Sequence, residues 1–482
     1  REAIAVLLRM AAANGVKQAV VGRDGLLSTP AASLLIPAVQ AAGGFILTAS
    51  HNPGGSDGDF GIKFNVDNGG QASETLTDSI YKRTLTIDRY RIAPEGPAPD
   101  LGRPGMQDFH GMQVEIVDPV QHYAEVMQGC FDFERMRKWL RSGKFRMRFD
   151  ALHAVTGPYA KAIFEDLLGA PAGSVQNATP LPDFGGGHPD PNPHDAAALV
   201  RAFMEKDAPD FGAASDGDGD RNMILGPGVV VSPGDSLAIL AANAHLIPGY
   251  RRRLAGVARS MPTSPAVDRV AAKLGIPSYE TPTGWRFFCN LLDAGRITLC
   301  GEESFGTSSD HAREKDGLWA VLFWLNLLAV RQEPLARILR AHWADYGRDF
   351  FLREDYDIPD AAAAAHVMRE LETALPTLAG KSTGGVGFAC ADSFTYQDPV
   401  DGSVSRNQGL RLFTSEGARL VFRLSGTGTR GATLRVYLGR YELDVSKQGM
   451  SALEALAPLS SAARAVARLE EFTGIKQPTN VT

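Results

Sequence analysis

Apolar positions along this chain recur with two periods, and the switches between them mark out the elements. Between Glu2 and Ala13, Ile4, Leu7, Leu8 and Ala11 share one helical face, with Gly15 placed to end the helix. Gln18 to Val21 then reads as a strand, about Pro30 to Ala42 as a helix, and Phe45-Ile46-Leu47 as a buried strand. Strand, helix, strand predicts a βαβ unit in a parallel sheet. Polar, Gly- and Pro-rich sequence from Pro94 to Gly111 breaks the pattern, and a boundary is placed after Val114-Glu115-Ile116-Val117-Asp118.

A second alternation runs from the strand Phe145 to Phe149 through the helix Tyr159 to Leu168 to a strand before Ser215. A third starts near Leu254 to Ala258, holds helical patterns over Pro265 to Leu274 and Trp285 to Leu292, and reaches the strand Arg296 to Cys300. Leu318 to Val330 is the longest apolar run; interrupted by Asn326 and too short for a bilayer, it predicts a buried core helix. Beyond it the character changes. Arg419 to Leu424 and Thr433 to Leu438 read as two strands joined by a loop, followed by an amphipathic helix from about Leu453 to Phe472. That combination predicts an α+β unit with antiparallel strands.

The 482 residues are too many for one core, and 44% apolar with 22% charged residues is the composition of a soluble globular protein. The net charge of -6 argues against nucleic acid or an anionic membrane as the main partner. Cys130, Cys289, Cys300 and Cys390 are scattered without a CxxC spacing, which disfavours a disulfide scaffold or zinc site and points to a reducing compartment. The first residue is Arg1, not Met.

Candidate chemistry collects where strands end. Thr48-Ala49-Ser50-His51-Asn52-Pro53-Gly54-Gly55 places a hydroxyl and an imidazole at a strand terminus before a forced turn, which suits a nucleophile that receives a charged group; an ordinary Ser/Asn turn is the alternative. Asp216-Gly217-Asp218-Gly219-Asp220 sets three carboxylates at alternate positions, a hard-oxygen set for Mg²⁺ or Ca²⁺ that would otherwise be a solvated acidic turn. It is not an EF-hand, since Arg221 and Pro227 stand where Gly and Glu are required. Gly301-Glu302-Glu303-Ser304 offers acceptors for vicinal sugar hydroxyls or is a surface turn. Arg423-Leu424-Ser425-Gly426-Thr427-Gly428-Thr429-Arg430-Gly431 fits GxGxxG, but a strand follows it instead of a helix. What survives is an amide- and hydroxyl-rich loop flanked by Arg423 and Arg435, suited to a phosphate dianion. No GxSxG elbow surrounds Ser50.

Together these motifs, in this order, resemble the α-D-phosphohexomutase superfamily over essentially the whole chain. Thr281-Pro282-Thr283-Gly284-Trp285 and Ser308-Ser309-Asp310-His311 through Trp319 resemble the branch whose sugar loop carries Phe after Glu-Glu-Ser, as Phe305 does here. The resemblance implies three similar α/β domains with mixed, mostly parallel sheets (1–120, 121–232, 233–347) and a C-terminal α+β domain (348–482) around a central cleft. It implies that Ser50 carries a phosphoryl group whose phosphate, with Asp216, Asp218 and Asp220, holds Mg²⁺, while Arg221 and Lys63 stabilise the transferring group. Thr283, Gly284, Glu302 and Ser304 would orient the sugar, with Lys315, Asp220 and Arg221 also against the substrate. Arg423, Ser425, Gly426, Thr427 and Arg435 would grip the phosphate that is not reacting; Lys315 and His51 are the candidates for proton transfer.

The implied reaction is the Mg²⁺-dependent interconversion of glucose 1-phosphate and glucose 6-phosphate through glucose 1,6-bisphosphate. The implied setting is a cytoplasmic monomer or weak oligomer acting on small sugar phosphates, with neither nucleic acid nor membrane as partner. Two alternatives stay open: a mutase for mannose or amino-sugar phosphates, and a binding protein that kept the fold. The second is expected to lose Ser50 or a metal-loop Asp, and both are intact. Relatives are also expected to begin with a further segment carrying the first strands and a Ser-Gly-Leu-Arg-like loop. Without it the first sheet would expose an edge. Arg286 stands where Lys is expected, and Thr429-Arg430 where small residues are.

Overall fold

The structure, a computed structural model, describes residues 1–56, 58–425 and 431–482. β1 (Gln18–Gly22) leads into the helix Thr29–Ala38, capped by the Ser28 hydroxyl oxygen, which accepts the Ala31 N–H at 3.2 Å. β2 (Gly43–Leu47) follows, but the expected parallel βαβ pairing does not form. β2 pairs antiparallel with β3 (Ile62–Val66), in register from Gly43 with Val66 to Leu47 with Ile62, because the turn at Asn52 to Gly55 reverses the chain. The Gly- and Pro-rich stretch before residue 111 holds a strand, β4 (Gly105–Phe109). It turns into β5 (Met112–Val117) through His110 and Gly111, at φ 52° and 78°, the two left-handed residues a tight hairpin needs. β1 runs parallel to β5.

The second sheet holds β6 (Met147–Asp150), β7 (Val175–Gln176), β8 (Phe211–Ser215), β9 (Asn222–Gly226) and β10 (Val229–Val231), in the order β10-β9-β8-β6-β7. The third holds β11 (Val257–Ser260), β12 (Ser278–Thr281), β13 (Leu299–Gly301) and β14 (Thr307–Ser309), in the order β12-β11-β13-β14. Each is mixed: β6 pairs parallel with β7 and β8, and β11 with β12 and β13, while β9 and β14 run antiparallel to their neighbours. The apolar run lies between them as the helix Gly317–Arg331, buried at every residue from Gly317 to Ala329. Asn326, the polar interruption, accepts the Asp132 N–H at 2.9 Å, so its carbonyl is satisfied inside the core.

The last sheet is larger than the two predicted strands. β15 (Arg348–Ile358), β16 (Ser382–Thr383) and β17 (Val386–Ser393) precede a small ribbon, β18 (Tyr396–Gln397) with β19 (Val404–Ser405). β20 (Leu410–Thr414), β21 (Arg419–Ser425), β22 (Ala432–Glu442) and β23 (Asn480–Val481) complete it, in the order β16-β17-β20-β21-β22-β15-β23, antiparallel throughout. The helices Ala361–Leu378 and Ala452–Ala467 pack on it. The expected helix to Phe472 breaks at Arg468, at φ 48°, and resumes as Leu469–Thr473. Among the described residues no helix is long and apolar enough to cross a membrane.

Candidate active site

Two strand ends meet through their backbones. After β2, Ser50 adopts φ 58°, a left-handed conformation that costs a non-glycine residue about 1 kcal/mol and is stabilised here by its surroundings. Its N–H donates to the Thr48 hydroxyl oxygen at 2.7 Å, and His51 Nδ1 lies 3.3 Å from Ser50 Oγ. The Ser50 carbonyl presses against Gly217 so closely that a Cβ there would lie 2.2 Å from it. Only glycine admits that approach. Asp218 Oδ2 accepts the hydroxyls of Thr29 at 2.7 Å and Thr48 at 3.0 Å, fastening the carboxylate loop to the serine loop.

Asp216, Asp218 and Asp220 each turn a carboxylate oxygen inward, all within 4.8 Å of one another, and all three side chains are buried. Among the described residues Asp216 Oδ2, Asp218 Oδ1 and Asp220 Oδ1 have no hydrogen-bond donor, and Asp220 Oδ2 has only the ammonium groups of Lys63 and Lys315 near it. Buried anionic oxygens left unpaired are strongly disfavoured. Burial first, and then the Asp220 and Asp218 charges, push the Asp216 carboxyl well above its ordinary range. A divalent cation relieves all of this at once, so the donor set fits Mg²⁺.

Cations ring the cluster. Lys63 Nζ lies 3.8 Å from Asp220, 4.0 Å from Asp218 and 3.6 Å from Glu314; Lys315 Nζ lies 3.3 Å from Asp220 and 4.0 Å from Glu302. Arg221 donates its backbone N–H to Asp216 Oδ1 at 3.0 Å and its guanidinium to Asp190 at 3.3 Å. Burial opposes charge on Asp220, yet Lys315, Lys63 and Arg221 outweigh it and hold the carboxyl down to about 2. His51 moves the other way. Burial, then Arg221, lowers its imidazole to about 3, so it is neutral near pH 7 with a lone pair to offer.

The two adjacent carboxylates after β13 face different ways. Glu302 faces Lys315 and accepts the Ser304 hydroxyl at 3.1 Å. Glu303 points elsewhere, accepting the hydroxyls of Ser260 at 3.0 Å and Thr263 at 3.4 Å. Burial disfavours its charge, but Arg423, Arg353 and Arg435 of the last sheet hold its carboxyl below the ordinary value. Arg423 and Arg435 are direct cross-strand partners, so their side chains share a face; Ser425 ends β21. Among the described residues the Arg353 and Arg435 Nε atoms and the Tyr437 hydroxyl are buried without a hydrogen-bond partner. Thr283 and Gly284 join β12 to the helix Trp285–Asp293; Gly284 has φ 131°, and the Thr283 hydroxyl is buried and unpaired. Gly426 and Thr427 lie outside the described residues.

Family models for phosphoglucomutase/phosphomannomutase α/β/α domains I, II and III match residues 1–91, 121–228 and 233–346, and one for the phosphoglucomutase-1 C-terminal domain matches 348–479. The chain belongs to the phosphoglucomutase/phosphomannomutase family. This family member is 54% identical over its whole length to phosphoglucomutase of Rhizobium radiobacter, spanning 89% of that protein. It is 51% identical to phosphoglucomutase-1 of Homo sapiens, spanning 88% of it. A crystal structure of the Paramecium phosphoprotein parafusin, a phosphoglucomutase in an open form, superimposes with a TM-score of 0.91 at 45% identity, covering 100% of this chain and 88% of that one. Within the phosphoglucomutase/phosphomannomutase family this protein is an enzyme, an isomerase.

Several residues at the site carry no signal in the sequence. Thr29 is an unmarked hydroxyl, and Thr48, though inside the serine motif, has no role that the motif assigns; only tertiary contact brings both to Asp218. Asp190 and Arg353 come from segments with no motif. Glu314 stands beside Lys315 in the sequence, and its full burial under Lys63, with Asn65 and Gln71 each donating at 3.0 Å, is visible only in the fold.

Proposed function

We propose that this enzyme interconverts glucose 1-phosphate and glucose 6-phosphate through a phosphorylated Ser50 and a glucose 1,6-bisphosphate intermediate. The observation that supports the reading is the packing of the Ser50 carbonyl against Gly217, with the Thr48 hydroxyl bonded to Asp218, which ties the serine loop to the loop that carries Asp216, Asp218 and Asp220. Asp216, Asp218 and Asp220 would hold Mg²⁺ together with a phosphate on Ser50; bound there, the ion neutralises charge on the equatorial phosphoryl oxygens.

The chain's own residues do the rest. In the first transfer the P–Oγ bond of Ser50 breaks, a P–O6 bond forms on the sugar, and the net proton movement is from O6 to Oγ. The charge states of Lys315 and His51 suit the return step, in which neutral His51, facing Oγ, would take the Ser50 proton and the Lys315 ammonium, facing Glu302, would give one to the leaving sugar oxygen. Lys63 and Arg221 hold the transferring group in line. Glu302, Ser304, Thr283 and Gly284 orient the sugar, while Arg423, Ser425, Gly426, Thr427 and Arg435 grip the far phosphate and align the reacting hydroxyl. The bisphosphate then turns end for end, and its other phosphate returns to Ser50. The high identity to phosphoglucomutases supports glucose over other hexoses.

Purified protein with Mg²⁺ is expected to convert glucose 1-phosphate to glucose 6-phosphate and to show phosphate on the Ser50 peptide by mass spectrometry. Ser50→Ala should lose both. Ordinary turnover by Ser50→Ala would overturn the reading.

A further inference from the structure

Lys315 precedes a residue whose bonding is more than a helix cap requires. Asp316 opens the helix Gly317–Arg331 and accepts the Trp319 N–H at 3.0 Å, which alone completes a cap. The same carboxylate also accepts the Tyr123 hydroxyl at 2.6 Å, and its other oxygen lies 3.0 Å from His311 Nε2. His311 Nδ1 is 2.7 Å from Ser309 Oγ, which is 2.7 Å from the Tyr250 hydroxyl, itself 2.7 Å from Trp319 Nε1.

With the imidazole in its neutral form, donor chemistry gives the chain one direction. An ionised carboxylate only accepts, so the imidazole hydrogen sits on Nε2, aimed at Asp316, and Nδ1 accepts from Ser309. Ser309 in turn accepts from Tyr250, and Tyr250 accepts from the Trp319 indole N–H. The result is a carboxylate held by three donors from three elements: the helix Gln121–Cys130, the loop after β14, and its own helix. A fully satisfied buried network of this kind admits one arrangement.

What that arrangement fixes is the residue between two pinned neighbours. Glu314 is tied to Asn65 and Gln71, Asp316 is tied as described, and the Asp316 N–H donates to the Thr307 carbonyl at 3.0 Å. The Lys315 stem crosses Gly306 so tightly that a Cβ there would meet its Cδ at 2.3 Å. We propose that the directed chain from Trp319 through Tyr250, Ser309 and His311 to Asp316 is a positioning device for Lys315, setting where its ammonium meets the substrate. His311 and Asp316 are positioning residues and touch no reacting atom; the inference rests on Lys315 acting in the proposed transfer.

The test is a double-mutant cycle on glucose 1-phosphate turnover. His311→Phe keeps the ring stacked on Trp319 but removes both bonds, and should lower kcat on the order of tenfold or more with KM nearly unchanged. His311→Gln, whose amide can again donate to Asp316, should recover most of the loss. In a Lys315→Met background His311→Phe should cost nothing further, because the residue it positions is gone. Multiplying losses, or no recovery by His311→Gln, would overturn the proposal while leaving the function intact. Unchanged turnover by Lys315→Met alone would instead remove Lys315 from the mechanism. Should His311→Phe not fold, Tyr123→Phe deletes a single hydroxyl and takes its place in the cycle: no further loss on Lys315→Met supports the proposal, and multiplying losses overturn it.

Discussion

The carboxylate loop and the arginine face stand on different foundations. Asp216, Asp218 and Asp220 follow β8, whose Phe211 and Ala213 belong to one apolar core running under both the second and third sheets, from Ala31 to Leu339. Arg353, Arg423 and Arg435 stand on a sheet whose core is its own, from Phe350 to Leu469. Contacts between the two include a small apolar cluster, with Met261 and Phe287 against Tyr396, Val421 and Tyr437, the Arg419 guanidinium, which donates to the carbonyls of Met261, Pro262 and Thr263, and the ion pairs of Arg269 with Asp349 at 2.9 Å and Arg411 with Glu280 at 2.9 Å. Asp216, Asp218, Asp220 and Lys315 are thus set by one packed interior, whereas Arg353, Arg423 and Arg435 stand on another, bound to it mainly through polar contacts. On the proposed function, that division suits a site that holds one end of its substrate rigidly and closes over the other.

If the core is shared, damage at its centre should reach both sheets together. Phe323 is fully buried in the central helix, with ring centroids 5.4 Å from Trp319, 5.5 Å from Tyr250 and 6.1 Å from Phe131. Phe323→Ala should cost about 3–5 kcal/mol of stability. Fluorescence and hydrogen exchange in urea should show β8 and β11 losing protection in one transition. Separate transitions for the two sheets would break the comparison.

Acid probes the same foundation by another route. Burial holds the His342 imidazole down to about 4, from an ordinary 6.5. As pH falls below 6.5 the unfolded chain takes up a proton that the folded chain refuses, so stability declines until about pH 4 and then levels. The size is about 3 kcal/mol for a shift of this order. His342→Phe keeps the stack on Tyr346, at 4.7 Å, and should flatten the dependence of the urea midpoint over that window. Parallel curves for the two proteins would show that the acid limb has another source.

How far the fold can be read from residues alone tracks how local its causes are. The helix Glu2–Ala13 and the buried helix after Asp316 follow from periodicity within one element. β4 escapes such a reading because a two-residue His-Gly hairpin is set by backbone angles at His110, a residue with no strong turn signature. β15 escapes it because its polar face, Arg353 and Asp355, belongs to a site and not to solvent. The pairing of β2 with β3 depends on which strand returns to it, which no local pattern encodes. At the site, motifs announce the residues that face ligands. What holds those residues in place is harder to read: Thr29 lies in no motif, and Thr48, Glu314 and Asp316 lie inside motif stretches that do not reveal their partners, which are distant in sequence.

The arginine face gives the smallest stability effect and the sharpest contrast. Arg435 Nε is buried without a hydrogen bond, and its nearest carboxylate, Asp355, stands at 3.9 Å while already bonded to Arg353 at 3.0 Å. Directly across the strands lies Arg423, another positive charge. On the proposed function, this crowding of positive charge is there to receive an anion, and its attraction to Glu303 and Asp355 is offset by repulsion from Arg423. Arg435→Met should therefore leave the unfolding free energy unchanged or raise it by about 1 kcal/mol. The same substitution should raise KM for glucose 1-phosphate on the order of tenfold, since a charge-assisted bond to phosphate is lost. A structural role would give the reverse pattern, a clear loss of stability with KM intact. Paired urea melts and initial-rate curves on one preparation separate the two.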